Sequence, residues 1–566
     1  MKKIILALIL LSNIFGVIIH PLNNMELNYT HVKFQWESID GSLEYELQLS
    51  NYSDFSNLLL DINTSKLFYV DMININWEGN YYWRVRSINS QVEGEWFSAQ
   101  FSIGQPSYSF ASSDVSPVNI ITNSISSSND IIIFGIMDPF YSAAIDVNGN
   151  EIWNSGSIDS YMFTSVDEEY NFIGDANLPP LYNGELGVEF NIEEGIIWQQ
   201  PTYGDQVDFL QHELIKLPNG NYMGLVPVYL EHFVPNSDDF SEIPNNYDFS
   251  FEDNIPGWDG SFDYPWEWKS EKIVEWDVNG NEVWSWNPFD YYNLDDFDYQ
   301  SEFWEFAAQN NEPFDWTHFN AMVYDQNENS IYISSKNLSR ITKIDKNTGN
   351  IIWNLGIQWL GDPVIEPETL FSGQHGLQIL ENGNIVIFDN GILSGMFDGS
   401  GIFRSSALEI KIINNNSIYT SETIWSYELP TDLYGVISGN VQKLKNGNYF
   451  ITTVGSNDGA HSLEITDNGN IIWECNYNIG TPQGAIYRSM KIPGLYKSEC
   501  SDLGDLNNDN LFNVLDIVSL ANCVLSEDCQ ILENGCAGDM NLDEQFNVLD
   551  IVTLANCVLQ ENCTEI

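Results

Sequence analysis

The chain has 566 residues, with 20 Lys and Arg against 81 Asp and Glu, a formal net charge of −61. That balance excludes nucleic acid, whose binding needs Lys and Arg to displace counterions from phosphates, and it disfavours an anionic membrane surface. Yet 43% of the residues are hydrophobic and 14% aromatic, too many for a disordered acidic chain. Several folded domains are expected, with the acidity spread over a solvated surface suited to salty water or divalent cations.

Lys2 and Lys3 precede an apolar run from Ile4 to Ile19. A basic head and a short apolar stretch read as a secretory signal peptide over 1–19, short of the ~20 residues of a membrane span. The mature protein is expected to have no membrane span and to be periplasmic, cell-surface or secreted. Residues 25–104 alternate as β-strands, as in Val32-Lys33-Phe34-Gln35-Trp36, Tyr45-Glu46-Leu47-Gln48-Leu49 and Tyr81-Tyr82-Trp83-Arg84-Val85-Arg86. The early Trp, the central Tyr and the late aromatic run resemble a fibronectin type III module, which implies a β-sandwich used as a spacer or docking module. Residues 105–118, rich in Ser and Pro, read as a linker.

From 119 to 495 the sequence repeats. One half of the unit ends in Trp after a turn, as in Asp146-Val147-Asn148-Gly149-Asn150-Glu151-Ile152-Trp153, and recurs at Trp198, Trp284, Trp353, Trp425 and Trp473. Asn-Gly supports the positive φ of a tight hairpin. The other half carries hairpins such as Leu217-Pro218-Asn219-Gly220-Asn221, Leu380-Glu381-Asn382-Gly383-Asn384 and Leu444-Lys445-Asn446-Gly447-Asn448. Two hairpins make the four strands of a propeller blade, and six Trp endings predict six blades. The units are long for blades, and insertions at 232–270 and 287–315, rich in aromatic and acidic residues, account for the excess. These insertions read either as a rim over the channel mouth or as loops packed outside the blades.

The tail holds two copies of one motif, 34 residues apart. Oxygen-bearing side chains at Asp505, Asn507, Asp509, Asn513 and Asp516 recur at Asp539, Asn541, Asp543, Asn547 and Asp550. With the carbonyls of Leu511 and Gln545, each set is what a short loop needs to wrap a hard cation. An apolar helix follows each loop, from Val514 and from Val548. The duplicated loop and helix resemble a type I dockerin over 500–563, which implies structural Ca²⁺ and a cohesin-like partner on a scaffold or surface. Six of the seven cysteines crowd this segment. In an exported chain they favour disulfides. Cys523 with Cys529 and Cys557 with Cys563 repeat one spacing and are expected to be local clips, leaving Cys500 for Cys536 and Cys475 free. The expected fold is mainly β: a β-sandwich, a six-bladed β-propeller and a small α-helical Ca²⁺-loop domain.

Three of the seven histidines hold related repeat positions. His212 stands seven residues before Asn219, His375 seven before Asn382, and His318 nine before Asn327. If the first strand of each blade lines the channel, three imidazoles from blades three, four and five converge there. Converging histidines suit metal binding or nucleophilic and acid–base chemistry. His461 is a weaker channel candidate, and His232 is expected at the surface.

The runs Asp315-Trp316-Thr317-His318-Phe319-Asn320, Ile341-Thr342-Lys343-Ile344-Asp345, Gly373-Gln374-His375-Gly376, Phe388-Asp389-Asn390-Gly391 and Gly439-Asn440-Val441-Gln442 resemble the bacterial arylsulfotransferases. These are exported six-bladed enzymes that use an aryl sulfate donor and no diffusible cofactor. The resemblance implies ping-pong transfer of a sulfuryl group from an aryl sulfate to a phenolic or hydroxyl acceptor. His375 would be the nucleophile. His212 and His318 would protonate the leaving phenolate or hold sulfate oxygens, and Asn320 would donate a hydrogen bond. Lys336 stands in the segment where the family usually has Arg, keeping the charge without the planar fork. Ser406 replaces a second family arginine, with Arg404 two residues away. Two other functions are compatible with the same residues: a non-catalytic propeller that binds anionic or sulfated ligands, and a metal-dependent hydrolase.

Overall fold

Period-two alternation of apolar residues dominates the chain, and in the computed structural model it builds antiparallel sheets almost throughout. The structure describes residues 18–563 apart from 39–43, 65, 89–93, 108–117, 125–129, 138–139, 157–160, 168–169, 177–185, 202–209, 234–264, 299–309, 311, 457–458, 479–485, 497–502, 508–510, 527–528, 530–534, 541–545 and 561–562. The chain divides into two units, Met1–Pro106 with Pro493–Ile566, and Ser107–Ile492.

In the first unit a three-stranded sheet (Ile18–His20, Val32–Trp36, Phe68–Asp71) faces a five-stranded one (Met25–Leu27, Phe97–Ile103, Asn80–Ile88, Glu44–Ser50, Leu58–Thr64). Alternate residues of Asn80–Ile88 turn inward, so Tyr81, Trp83 and Val85 are buried while Arg84 and Arg86 are not. Trp83 meets Phe34 of the facing sheet edge-on, ring centroids 5.1 Å apart. Such pairs add to the burial itself. The expected strands are all present. Ile18 and Ile19, at the end of the expected leader, form a strand paired with Val32–Trp36, and His20 is buried against the Tyr29 hydroxyl at 2.9 Å. A β-branched apolar run satisfies a signal segment and an inner strand equally well.

The tail of this unit holds the helices Val514–Ser526 and Val548–Gln560, which pack through Leu520, Leu554, Cys523 and Cys557. Both expected clips are formed, Cys523–Cys529 and Cys557–Cys563. Cys475 is free and buried. Cys500 lies outside the described residues, and with it the expected pair with Cys536. Asp509, Asn541, Asp543 and Gln545 of the two loops lie outside them as well. Among the described residues no helix is long and apolar enough to cross a membrane.

Among the described residues the second unit contains six sheets of four or five strands. In chain order their innermost strands are Tyr161–Val166, Leu214–Lys216, Phe319–Asp325, His375–Ile379, Ile437–Lys443 and Ile486–Ile492. Neighbouring sheets meet near these strands, and the sixth meets the first, so the arrangement is propeller-like. The ends of the unit are interlocked. Ile486–Ile492 completes the sheet begun by Ile131–Ile136, and Val118–Asn123 adds a fifth strand to the sheet ending in Ile471–Tyr477. Val118, read as linker, is therefore part of a strand. Each exchange pairs a backbone edge that would otherwise be exposed.

All six predicted Trp residues fall on the strand that each meander reaches last: Trp153, Trp198, Trp284, Trp353, Trp425 and Trp473. The Asn-Gly turns behave as expected, with Gly149 and Gly280 at φ +84° and +81°. Of the first insertion, residues 265–270 and 232–233 extend the strands Tyr222–Phe233 and Pro265–Trp276 into a long ribbon; 234–264 lie outside the described residues. The second insertion is no mere outer loop. Its Asp296 accepts from Arg340 and from the backbone of Gly361 and Asp362, and its carbonyl receives the Trp316 indole N–H.

Candidate active site

The innermost strands begin irregularly. Register slips occur at Phe163/Ser165, Phe319/Ala321, His375/Leu377 and Ile437/Asn440. A bulge re-aims the side chain that precedes it. His212 and His318 themselves take φ +68° and +48°, a region costly for a residue with Cβ. Gly376, after His375, has φ +60°, and a Cβ there would lie 2.6 Å from Asn440 Cβ. These distortions lie where the side chains of successive sheets meet the same space. Met162, His375, Ser438 and Tyr487 on four innermost strands, and His212 and His318 just before the other two, line a cavity of about 290 Å³ together with Lys336 and Asp175. Met137, Phe140 and Ile437 supply apolar wall.

His375 is held by its Nδ1, 2.8 Å from Asn390 Oδ1 and 3.1 Å from the Gly373 carbonyl. The Asn390 amide nitrogen donates to the carbonyls of Gly435 and Ser438, so its oxygen must face the imidazole. Both neighbours of Nδ1 are acceptors. Nδ1 therefore carries the proton, and Nε2 keeps its lone pair. Burial, then the Lys336 charge, lower the His375 pKa to about 3, so the ring is neutral at neutral pH.

His212 and His318 share a proton line, Nε2 to Nε2 at 3.1 Å. His318 Nδ1 donates to Asp315 Oδ2 at 2.5 Å. Burial raises the Asp315 carboxyl, but the His318 ring, with Lys269 and Lys336, outweighs it and holds Asp315 well below the usual range. Burial lowers the proton affinity of both imidazoles, and at His318 Asp315 opposes that effect. An ionised Asp315 makes His318 the member able to hold an extra proton on Nε2. The Tyr487 ring lies parallel to His212, and its hydroxyl donates to the His212 carbonyl at 3.0 Å. Lys336 is buried, which lowers its pKa against the opposing carboxylates of Asp315 and Asp298.

The structure thus brings His212, His318, His375 and Lys336 together. It places Asn320 elsewhere. Asn320 is fully buried behind the cavity, and its amide nitrogen donates to the Gln374 carbonyl at 2.7 Å. Asn440, two residues after the cavity-lining Ser438, does the same to the Ser489 carbonyl at 2.9 Å. Both amides tie one innermost strand to the next, so the expected hydrogen bond from Asn320 goes to backbone. Arg404 spends its charge on Asp398 at 2.9 Å and Glu428 at 3.5 Å and is not in the cavity wall. His461 sits on the strand Gly459–Ile465, 3.3 Å from Glu474, away from the cavity. His232 is half-buried on the long ribbon, edge-on to Trp268. Below the cavity Arg488 grips Glu213 through two bonds, 3.0 and 2.7 Å. Among the described residues no group of three His, Cys, Asp or Glu side chains is arranged to hold a metal ion.

Asp315, Asn390 and Ser438 were not singled out from the sequence. Asp315 and Asn390 stand inside motifs that were, and a polar residue beside a candidate histidine is the signal that finds them.

The comparison with curated proteins finds no match. Among solved structures, the chain is similar to a putative 6-phosphogluconolactonase from Bacteroides fragilis NCTC 9343, with 8% identity over 81% of this chain and 100% of the other, TM-score 0.29. It is similar to the periplasmic gluconolactonase PpgL of Pseudomonas aeruginosa, with 8% identity over 79% and 99%, TM-score 0.31. A third is the Cps50 (Swd1) β-propeller domain of Myceliophteria thermophila, with 10% identity over 63% and 89%, TM-score 0.31. Residues 263–488 match the model of the family described as Arylsulfotransferase (ASST). His212 precedes the matched residues. The segment that carries Asp315, His318, Lys336, His375, Asn390 and Tyr487 is similar to the arylsulfotransferases.

Proposed function

We propose that the cavity transfers a sulfuryl group from an aryl sulfate to a phenolic or hydroxyl acceptor through a sulfohistidine on His375. The observation that carries this reading is the bond pattern at His375, with Nδ1 committed to two acceptors and Nε2 left as a neutral lone pair in a cavity shared with a lysine and two more histidines. Nε2 attacks sulfur. The N–S bond forms as the aryl O–S bond breaks, and the leaving phenolate takes the Nε2 proton of His318. Asp315 and the negative charge of the bound donor together stabilise the His318 imidazolium that burial disfavours in the empty cavity, as a buried carboxylate does for a catalytic histidine. Lys336 faces the sulfuryl oxygens, where negative charge gathers. In the second half the acceptor oxygen attacks sulfur, the N–S bond breaks, and the acceptor's proton returns to His318 Nε2. The apolar wall and Tyr487 give an aromatic ring a surface to lie on.

The test is mass spectrometry of the protein after brief mixing with a nitrophenyl sulfate. A sulfuryl adduct on His375 with release of the phenol is the expected result. Folded protein that gives neither across several donors sinks the reading and leaves the channel as a binder of anionic ligands.

For the tail we infer Ca²⁺ and a cohesin-like partner. Asp505, Asp516 and Asp550 are fully buried and Asp539 nearly so. Asp516 accepts from the backbone N–H groups of Leu506, Asn507 and Asn513, closing the loop around itself. Buried carboxylates in such a set suit a hard cation. Val514, Leu515, Val518 and Leu525 are exposed, and so are Val548, Leu549, Val552 and Leu559 at the matching positions, which suits a docking partner. Calorimetric titration with Ca²⁺ tests the first inference; heat of binding that survives Asp516→Ala with Asp550→Ala refutes it.

A further inference from the structure

Resting on the sulfuryl-transfer reading, we propose that Glu271 is the positioning residue for one side of the site, fixing His318 and Lys336 together where they face His375. Glu271 is fully buried on the strand Pro265–Trp276. The segment from Phe314 to Phe319 is laid along that strand step by step. Trp268 and Lys269 pair in parallel with Phe314 and Asp315. The Trp316 N–H donates to the Lys269 carbonyl at 2.9 Å, and the Ser270 and Thr317 hydroxyls meet at 2.5 Å. Glu271 Oε2 then takes two bonds, from the Phe319 N–H at 2.7 Å and from the Thr317 hydroxyl at 3.2 Å. These two donors flank His318, whose φ of +48° is sustained only if both neighbours are pinned.

The constraint passes on to the cation. Lys336 N–H donates to the His318 carbonyl at 3.1 Å, Asn337 N–H to the Thr317 carbonyl at 3.2 Å, and the Ser335 hydroxyl to the same Thr317 oxygen at 2.8 Å. One carboxyl group therefore sets both the imidazole and the backbone of Lys336. A shift of about 1 Å in such groups is enough to cost about 100-fold in rate.

The charged groups around Glu271 are Asp315 from the pinned segment and Lys269 from its own strand, with His318 and Lys336 beyond Asp315. Burial, then Asp315, push the Glu271 carboxyl up to about 8, against Lys269. Its Oε1 has no hydrogen-bond partner among the described residues. At neutral pH Glu271 is a neutral acid. Above pH 8 it becomes a second buried anion beside Asp315, in a site that must admit a sulfate.

The experiment compares wild-type protein with Glu271→Gln and Glu271→Leu, measuring sulfuryl transfer from a nitrophenyl sulfate to phenol between pH 5 and 9. The same proteins, labelled with ¹⁵N in histidine, are followed by NMR. Gln keeps the acceptor oxygen and cannot ionise. It should hold kcat within about twofold at pH 6.5 and abolish the decline above pH 8. Leu should lower kcat about 100-fold with little change in KM. A folded Leu variant with wild-type kcat, or identical alkaline profiles for wild type and Gln, overturns the proposal. If Leu fails to fold, the Gln profile decides alone. If wild type transfers nothing, the sulfuryl-transfer reading falls, and the NMR decides the positioning role. His318 ring signals that shift near pH 8 in wild type and not in Gln sustain it; signals that behave alike in both overturn it.

Discussion

The two ends of the six sheets follow different rules. On the strands that the meanders reach last, the repeat is nearly literal: an apolar residue stands directly before each Trp, and in five of the six the turn carries a glycine at positive φ (Gly149, Gly195, Gly280, Gly349 and Gly469). Trp473 there is 1% exposed, and its indole N–H reaches the Val147 carbonyl at 2.8 Å, joining its sheet to the one that Ile486–Ile492 completes. At the start of the innermost strands the repeat is broken. His212, His318 and Ser438 take positive φ, the ladders slip, and the corresponding side chains are Met, His, His, His, Ser and Tyr. Packing rewards repetition, because every sheet meets a similar neighbour. A reaction centre needs different groups around one point, so the repeat diverges where the sheets converge.

That contrast can be tested by substitutions at either end, from the largest effect down. His375→Ala should abolish the sulfuryl adduct and lower turnover by about 10⁴-fold or more, with unchanged circular dichroism. Retained adduct would place the nucleophile elsewhere. Trp473→Ala should cost about 3–5 kcal/mol in denaturant unfolding, while the folded protein keeps its kcat. Loss of kcat at full folding would break the division between the two ends. Asn390→Ala frees the His375 Nδ1 proton from its fixed acceptor and should lower kcat by about 10–100-fold, an effect of the size seen when an orienting partner of a histidine is lost. Burst kinetics separate it from a binding defect.

Lys336→Met should raise KM for the aryl sulfate about tenfold or more, as a charged hydrogen bond is lost. It also removes a charge that helps depress His375. The His375 pKa then rises from about 3, so the acid limb of kcat/KM moves to higher pH. A limb that moves downward or stays put would show that Lys336 does not face His375.

Glu271 gives the most pH-dependent effect. Its folded pKa of about 8 lies above its ordinary 4.5. Between those values the unfolded chain has already released the proton that the folded one retains. Stability from this group is therefore full below about pH 4.5 and declines as pH rises toward 8. Glu271→Gln should flatten that decline, read as the difference in denaturation midpoint between pH 5 and pH 8.

Much of this architecture was legible because it is local. The Asn-Gly hairpins, the Trp endings and the two cysteine clips depend on residues a few positions apart, and turn geometry fixes them without distant partners. The histidines were legible for a related reason: His212 and His375 stand seven residues before their hairpins and His318 nine, which places them at equivalent points of successive sheets. The partner of Asn320 was not legible from the same motif. A short amide on an innermost strand serves equally to touch a ligand or to bridge to the next strand, and the choice depends on where the Gln374 carbonyl lies. The pairing of Ile18 with the strand Val32–Trp36 was not legible, because an apolar run carries no mark of what covers it.

The sequence by itself determined the strand content, the number of repeat units, the local disulfides and the identity of three converging imidazoles, since all of these follow from periodicity and short spacing. Only the tertiary structure decided the tautomer of His375, the Asp315–His318–His212 proton line, the burial of Lys336 and the role of Glu271. Each of these depends on an acceptor or a charge supplied by another sheet or a distant loop, and hydrogen bonds across such distances leave no period in the sequence.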